Sequence, residues 1–262
     1  MTANPLVLSH FDPGTGIARI TLNRPDALNA IDRVMAADFL GAVRGAVERD
    51  GLRCIVIEGA GRAFAAGGDV KSFGGPDGPA AEIDAILEPM HAAVLMLRDC
   101  AAPVVTAVQG VAAGAGFALA LCGDFVLVAE GARFSVAYTR LGGTPDCGLT
   151  WSLARRIGPA RALELLLDDP LIDAATAREM GLVSAVYPDE TFAASVAERV
   201  SRLAAGPTLA FAACRALLAE QGTFAEQLER ERAAFVAAAG TQDFGEGLAA
   251  FLARRKPDFS GT

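Results

Sequence analysis

Residues 104–129 read VVTAVQGVAAGAGFALALCGDFVLVA, an almost unbroken apolar stretch. Such a stretch has two homes, a bilayer or the interior of a large core. Gln109, Gly110, Gly114, Gly116, Gly123 and Asp124 divide it into pieces too short to span a membrane. The pieces read as a strand over Val104–Val108, a turn of small residues, a helix over 114–121 and a strand over 125–128. Burial in a core is therefore the expectation. The chain is long enough to provide one: 262 residues, 52% apolar and 21% charged, fit one large globular domain or one domain with an appendage.

The remaining sequence alternates short strands with loops and helices. Residues 6–10 and Ile17–Leu22 are strand candidates joined by DPGTG, a hairpin pattern. NRPDALNAID follows as a loop, and Asp32 is placed to cap a helix running to about residue 49. Residues 53–58 (RCIVIE) read as a buried strand, GGPDGPAAE as a break, and 80–99 as a helix. From about residue 189 onward the pattern is helical, over 191–204, 207–220, Phe224–Ala239 and 244–254. Gly206-Pro207, Gly222-Thr223 and Gly240-Thr241 punctuate it. No repeat of fixed period is present. A mixed α/β core with a helical C-terminal extension is the expected architecture.

Charge and cysteine usage narrow the function classes. Lys and Arg number 23 against 31 Asp and Glu, a net charge of −8. With no basic cluster, no nucleic-acid partner is expected, and Arg254-Arg255-Lys256 reads as a solvated helix end. Cys54, Cys100, Cys122, Cys147 and Cys214 show no CxxC spacing, which indicates reduced thiols in a cytoplasmic protein. His10 and His91 are the only histidines, so no metal-ligand pattern is present and no metal is expected. The opening MTANPLVLSHFDPG lacks a basic start and a long apolar run, so no signal peptide is expected there and no membrane partner.

Two glycine-rich segments carry the chemistry. AFAAGGDV follows the strand ending at Glu58. Small residues at Ala65, Ala66, Gly67 and Gly68 leave backbone N–H groups uncovered, so a ligand oxygen can reach them. A plain tight turn with Asp69 as a cap is the alternative. The second segment, VQGVAAGAGFALALCGD, places a helix N-terminus near Gly114, with free N–H groups and a partial positive charge. That end favours an oxygen that becomes negative during reaction. A small-residue helix packed closely on a sheet is the alternative here. A phosphate loop is disfavoured, since neither the Walker A pattern nor GxGxxG is present. Two N–H donors from separate loops are the parts of an oxyanion hole.

These segments, with NRPDALNAID, GRAFAAGGDVKSF, LGGTPDCGLTWSLARRIGPARALELLL and DAATAREMGLVSAVYPDE, resemble the crotonase (enoyl-CoA hydratase/isomerase) superfamily from about residue 6 to residue 259. The resemblance implies a spiral of ββα units over residues 1–205 that carries the acyl-CoA site. It also implies a helical region over 206–262 for trimerisation, commonly in a dimer of trimers. The implied substrate is an acyl-CoA thioester whose carbonyl is polarised by the N–H groups of Gly68 and Ala115. Coenzyme A is then part of the substrate, and no separate cofactor is implied. Ala27, Leu28, Ala66, Asp69 and Val70 would hold the CoA portion, with residues near Phe251 and Lys256 wrapping it.

The reaction is less determined than the family. Hydratases of this superfamily use two glutamates, and the matching positions here are Ala118 and Tyr138. A methyl group transfers no proton, and a phenol with an ordinary pKa near 10 is a poor base at neutral pH. Asp146, in TPDCGLTW, is the carboxylate on offer. From the residues alone it reads as the cap of a helix beginning near Cys147. The segment YTRLGGTPDCGLTW resembles the branch of ring-1,2-epoxyphenylacetyl-CoA and Δ3,Δ2-enoyl-CoA isomerases, where an aspartate at this position is the acid/base. The alternatives are a hydratase, by family membership, and a 4-chlorobenzoyl-CoA dehalogenase-like hydrolase. The dehalogenase branch has an aspartate nucleophile here, an aromatic residue at the position of Tyr138 and a histidine at that of His91; its aromatic is a tryptophan.

Around these groups, His91 reads as a helix histidine facing core or pocket. Tyr138, Gly114 and Gly142 line the acyl group, Asp69 steadies its loop, and Trp151 is expected in the core. Ala112, Ala113, Gly142 and Gly143 suggest room for an aryl or long acyl chain. Two further classes stand beside the enzyme: a CoA-ester binding protein without turnover, which Asp146 argues against, and an RNA binder, which the acidic charge opposes.

Overall fold

The computed structural model describes residues 5–74, 78–219 and 222–262. At its start the DPGTG turn closes a hairpin. β1 (Val7–Asp12) and β2 (Ile17–Leu22) pair antiparallel with Asp12 opposite Ile17, and the Asp12 carboxylate accepts from the Gly14 N–H and the Thr15 hydroxyl. α1 (Arg33–Val47) starts where Asp32 caps it, its Oδ1 accepting the Met35 N–H at 2.9 Å. β3 (Cys54–Gly59), α2 (Pro79–Asp99), β4 (Val104–Val108), β5 (Val111–Ala113), α3 (Ala115–Leu121), β6 (Phe125–Ala129) and β7 (Arg133–Ser135) follow. α4 (Leu149–Ile157), α5 (Pro159–Asp168), β8 (Ile172–Asp173), α6 (Ala174–Glu179) and β9 (Ala185–Tyr187) complete the mixed part. α7 (Phe192–Ala204), α8 (Thr208–Ala219), α9 (Phe224–Ala239) and α10 (Gln242–Ala253) end the chain.

The strands form a sheet in the order β1-β2-β3-β4-β6-β9, parallel from β2 onward, and a small sheet in the order β5-β7-β8. The apolar stretch lies inside, as expected. All five residues of β4 are buried because both faces of the sheet are covered. Ile55, Ile57, Val104 and Val108 share a core with Met35 and Phe39 of α1, Met90 of α2 and Phe117 of α3. On the other face Cys54, Val56, Val105 and Ala107 pack with Val196, Val200 and Leu203 of α7. The period of two along β3 thus divides its side chains between two cores. Among the described residues no helix is long and apolar enough to cross a membrane.

Two expectations change. The helix after TPDCG starts at Leu149 with Gly148 as its N-cap, so Asp146 is not the cap. Cys147 and Gly148 are both left-handed (φ 47° and 78°) and make a turn first. Trp151, expected in the core, is 44% exposed on α4. The guanidinium groups of Arg155 and Arg98 lie 3.1 and 4.8 Å from the centre of its ring, so cation–π contact rather than burial accounts for its position. The break expected over 74–82 lies in part outside the described residues, as does Glu220 at the end of the helix expected over 207–220.

The C-terminal helices leave much apolar surface open. α9 buries no side chain, and Leu218, Phe224, Phe235, Phe251 and Leu252 are all more than two-thirds exposed. The last residues nevertheless return to the core. Buried Arg53 donates to the carbonyls of Ala204, Gly206 and Phe259 at 2.9, 2.6 and 3.1 Å.

The five cysteines are free thiols. Burial, then the charge of Asp124, pushes Cys54 and Cys122 up to about 12. The unfolded chain loses these protons first, so it binds fewer protons than the native state between the two values, and stability falls as pH rises. Melting temperature is expected to be flat up to about pH 8.5 and to decline above it. Cys54→Ala should make that decline shallower, as a thermal scan at several alkaline pH values would record.

Candidate active site

Asn29 builds the floor of the site. It is fully buried, and with Leu28 it adopts left-handed backbone (φ 56° and 52°). Its Nδ2 donates to the carbonyls of Ala60, Ala63 and Phe64 at 3.0, 2.9 and 3.0 Å, and its Oδ1 accepts the Arg24 N–H at 2.8 Å. Around it two loops are joined edge to edge. The Ala66 N–H donates to the Leu28 carbonyl at 2.9 Å, the Ile31 N–H to Gly67 at 2.7 Å, and the Asp69 N–H to Ile31 at 2.8 Å. Arg24 spans the join, 2.8 Å from Asp69 and 3.3 Å from Asp32. Asp69 also accepts the Lys71 N–H at 3.2 Å, so its carboxylate is engaged in holding the loop. Ala27 closes the single 3₁₀ turn Pro25–Ala27, and Val70, 52% exposed, opens the next one, Val70–Gly74. Asn29→Ala would leave these carbonyls unpaired and is expected to cost at least about 3 kcal/mol in urea unfolding.

The two glycine-rich segments meet at their backbones. Gly67 has φ +98°, and a Cβ there would stand 2.9 Å from the Ala113 carbonyl oxygen. A Cβ on Gly116 would stand 2.1 Å from the Ala65 carbonyl oxygen. Only glycine permits both contacts. In the bridge to Ile31 the pairing groups come from Gly67 and Asp69, so the N–H of Gly68 turns the other way. Ala115 is the first residue of α3, where helical geometry supplies no acceptor for its N–H. Among the described residues, neither the Gly68 nor the Ala115 N–H has a hydrogen-bond acceptor. Phe73 packs against Gly68, its Cζ 2.9 Å from where a Gly68 Cβ would stand.

A carboxylate and a phenol lie beside these donors. The Tyr138 ring reaches Gly114, with Cζ 4.0 Å from the place of a Cβ there. Its hydroxyl donates to Asp146 Oδ1 at 2.6 Å. Burial, then the neighbouring Asp146 carboxylate, raises the Tyr138 phenol far above the ordinary range. Tyr138 therefore keeps its proton at physiological pH and acts as a donor, not a base. Burial and Asp146 likewise hold the Cys147 thiol protonated. The strained Cys147 backbone is secured from α2, where His91 Nε2 accepts the Cys147 N–H at 3.2 Å. That bond requires a neutral imidazole with its proton on Nδ1.

The sequence-derived residues thus divide. The loop of Gly67 and Gly68 meets Gly114 just before Ala115, Tyr138 links Gly114 to Asp146, and exposed His91 holds the residue after Asp146; Ala27, Leu28, Ala66, Asp69 and Val70 form the adjoining edge. Gly142 ends the 3₁₀ turn after Tyr138 in left-handed backbone and is exposed. Ala118 is buried in the core at 1% exposure and offers only a methyl group where a hydratase would need a carboxylate. Phe251 is 80% exposed on α10, and among the described residues neither it nor Lys256 bonds to the site. Arg24, Asn29, Phe73 and Asp169 were not singled out from the sequence. A polar residue among the small ones of NRPDALNAID was the available pointer to Asn29; Asp169 had none.

Known proteins resemble this chain over nearly its whole length. The model of the enoyl-CoA hydratase/isomerase family matches residues 12–262. The chain is 39% identical to the 1,2-epoxyphenylacetyl-CoA isomerase of Escherichia coli K12, covering 97% of this chain and 98% of that protein. It is 35% identical to the 2,3-dehydroadipyl-CoA hydratase of the same organism, over 92% and 94% of the two chains. The solved structure of an enoyl-CoA hydratase from Polaromonas sp. JS666 superposes with a TM-score of 0.87 at 33% identity, covering 97% of this chain and 99% of that one.

Proposed function

The chain belongs to the enoyl-CoA hydratase/isomerase family of acyl-CoA enzymes, and we propose that within it this protein is an enoyl-CoA isomerase with Asp146 as acid and base. The observation that carries the reading is the single carboxylate held by Tyr138 beside two unpaired N–H groups. The thioester carbonyl receives the N–H groups of Gly68 and Ala115. Asp146 removes a proton next to the double bond, and the electron pair moves onto the thioester oxygen as an enolate. The two donors stabilise that charge, each worth about 3–4 kcal/mol. Asp146 then returns the proton two carbons away. One base suffices, and Tyr138 fixes which carboxylate oxygen is free to act.

The loops around Ala27–Leu28 and Ala66–Val70 hold the CoA portion, and Tyr138, Gly114, Gly142 and His91 line the acyl group. The similarity to the Escherichia coli isomerase supports this reading; the similarity to the hydratase supports only the thioester site. Two-glutamate hydration lacks both groups, at buried Ala118 and at Tyr138. In a dehalogenase-like reading Asp146 attacks an aryl carbon and His91 activates water, but His91 Nε2 is already engaged by the Cys147 N–H. The exposed apolar side chains of α8–α10 support a trimer, or a dimer of trimers, built through residues 206–262 around a 1–205 core.

The test is spectroscopic. A 3-enoyl-CoA converted to its conjugated 2-enoyl isomer gains ultraviolet absorbance, whereas hydration of a 2-enoyl-CoA loses it. A rise is the expected result. Only a fall with the 2-enoyl ester, or halide release from a 4-halobenzoyl-CoA, would replace the isomerase by the corresponding alternative.

A further inference from the structure

Asp169 is a buried carboxylate that none of the chemistry above uses. It follows α5 in left-handed backbone (φ 41°) and is 6% exposed. Its Oδ1 accepts the Ser135 hydroxyl at 2.9 Å and the Ala137 N–H at 3.0 Å. Arg140 Nε lies 2.7 Å from its Oδ2, and an Arg140 terminal nitrogen donates to the Asp169 carbonyl at 3.0 Å. All these partners belong to one short segment on either side of Tyr138. Burial alone would raise the Asp169 carboxyl, but the Ala137 N–H, the Ser135 hydroxyl and Arg140 outweigh it and leave it below the ordinary range. It is therefore charged at neutral pH.

The segment it grips leads to both halves of the site. The Ser135 carbonyl accepts the N–H of Gly114 at 3.1 Å, the residue that caps α3 immediately before Ala115. Ala137 is itself left-handed (φ 61°), a conformation disfavoured in a residue with a Cβ. The next residue is Tyr138, whose hydroxyl orients Asp146. Released from Asp169, Ala137 has every reason to return to an ordinary φ, which would swing Tyr138 off Asp146 and loosen the turn that holds Gly114.

We propose that Asp169 is a positioning residue, fixing the oxyanion end of α3 through Ser135 and the Tyr138–Asp146 pair through Ala137. This rests on the reading of the site given above but not on which reaction it runs. Asp169→Gly deletes the carboxylate while keeping left-handed backbone easy, and Asp169→Asn restores one acceptor and tolerates the same φ. The first readout is the absorbance of bound 4-dimethylaminocinnamoyl-CoA, a conjugated thioester whose spectrum moves to longer wavelength when its carbonyl is polarised. The second is turnover of a 3-enoyl-CoA.

In Asp169→Gly the red shift should shrink and kcat should fall about 100-fold, as for a misplaced reacting group. KM should change by less than about three-fold, with Asp169→Asn recovering most of both signals. An unchanged red shift and kcat in a folded Asp169→Gly overturns the proposal. If that variant does not fold, Ser135→Ala and Arg140→Gln carry the test, and an unchanged shift and rate in both overturns it equally. A wild-type red shift without isomerase turnover, lost in Asp169→Gly, sinks the isomerase reading and leaves Asp169 in its role. Isomerase turnover and red shift both indifferent to Asp169 do the reverse.

Discussion

Asp146→Asn is expected to lower the isomerisation of a 3-enoyl-CoA by about a hundred- to ten-thousand-fold, the range for removal of a general acid–base. Asparagine keeps the size of aspartate, and its Oδ1 can still accept the Tyr138 hydroxyl now 2.6 Å from the carboxylate. The turn that Cys147 and His91 secure is untouched. What disappears is the oxygen proposed to take the proton. The loss should therefore fall on kcat, with affinity for the thioester retained, because proton transfer is a transition-state interaction and the proposed CoA contacts lie on the other edge of the site. Loss of proton exchange between the substrate and heavy water would locate the defect at the first step. A variant keeping more than about a tenth of the wild-type rate would place the base elsewhere.

In the isomerase reading proposed above, Tyr138 orients the one carboxylate that acts. Its phenol is held protonated by burial and by Asp146 itself. It cannot compete for the substrate proton, and it occupies one oxygen of Asp146 so that the other is presented. A short charge-assisted hydrogen bond of this kind is stronger than a neutral one. Orientation is thus bought without adding a second titrating group to the site.

Much of this was legible residue by residue. The boundaries expected for Ile17–Leu22, Val104–Val108 and Phe224–Ala239 are those observed, because apolar periods that begin or end beside a glycine or proline leave little freedom. The strands of two or three residues, β5, β7, β8 and β9, were not legible. A pair such as Ile172–Asp173 has no period to detect; it is a strand only because Phe134 lies opposite Ile172. The same limit applies at the site. GGD and GAG announce exposed N–H groups by composition, but the loops that aim them are held by partners far along the chain. Arg24 reaches Asp69, and His91 reaches Cys147 across 56 residues. Trp151 failed in the opposite sense. Its size suggested a core position, whereas two arginines a turn and a helix away give it a place on the surface.

Ala115→Pro separates the backbone donor from everything else. Proline is ordinarily welcome at the first position of a helix, because its φ suits the helix and the N–H it lacks has no partner there anyway. Ala115 occupies that position in α3, after Gly114. On structural grounds alone the change should be mild, limited to crowding by the ring at a site that is 8% exposed. If the Ala115 N–H receives the enolate oxygen, the same change removes one of two donors, and kcat should fall about 10²- to 10³-fold, or about 2.7–4 kcal/mol. Gly68 would still polarise the carbonyl, so the red shift of a bound conjugated thioester should shrink without vanishing. Circular dichroism and thioester affinity near those of the wild type would show that the fold and the CoA edge survive. A folded Ala115→Pro enzyme with nearly full turnover would mean that the free N–H at the start of α3 is only a helix end, and that charge on the thioester oxygen is met by Gly68 alone.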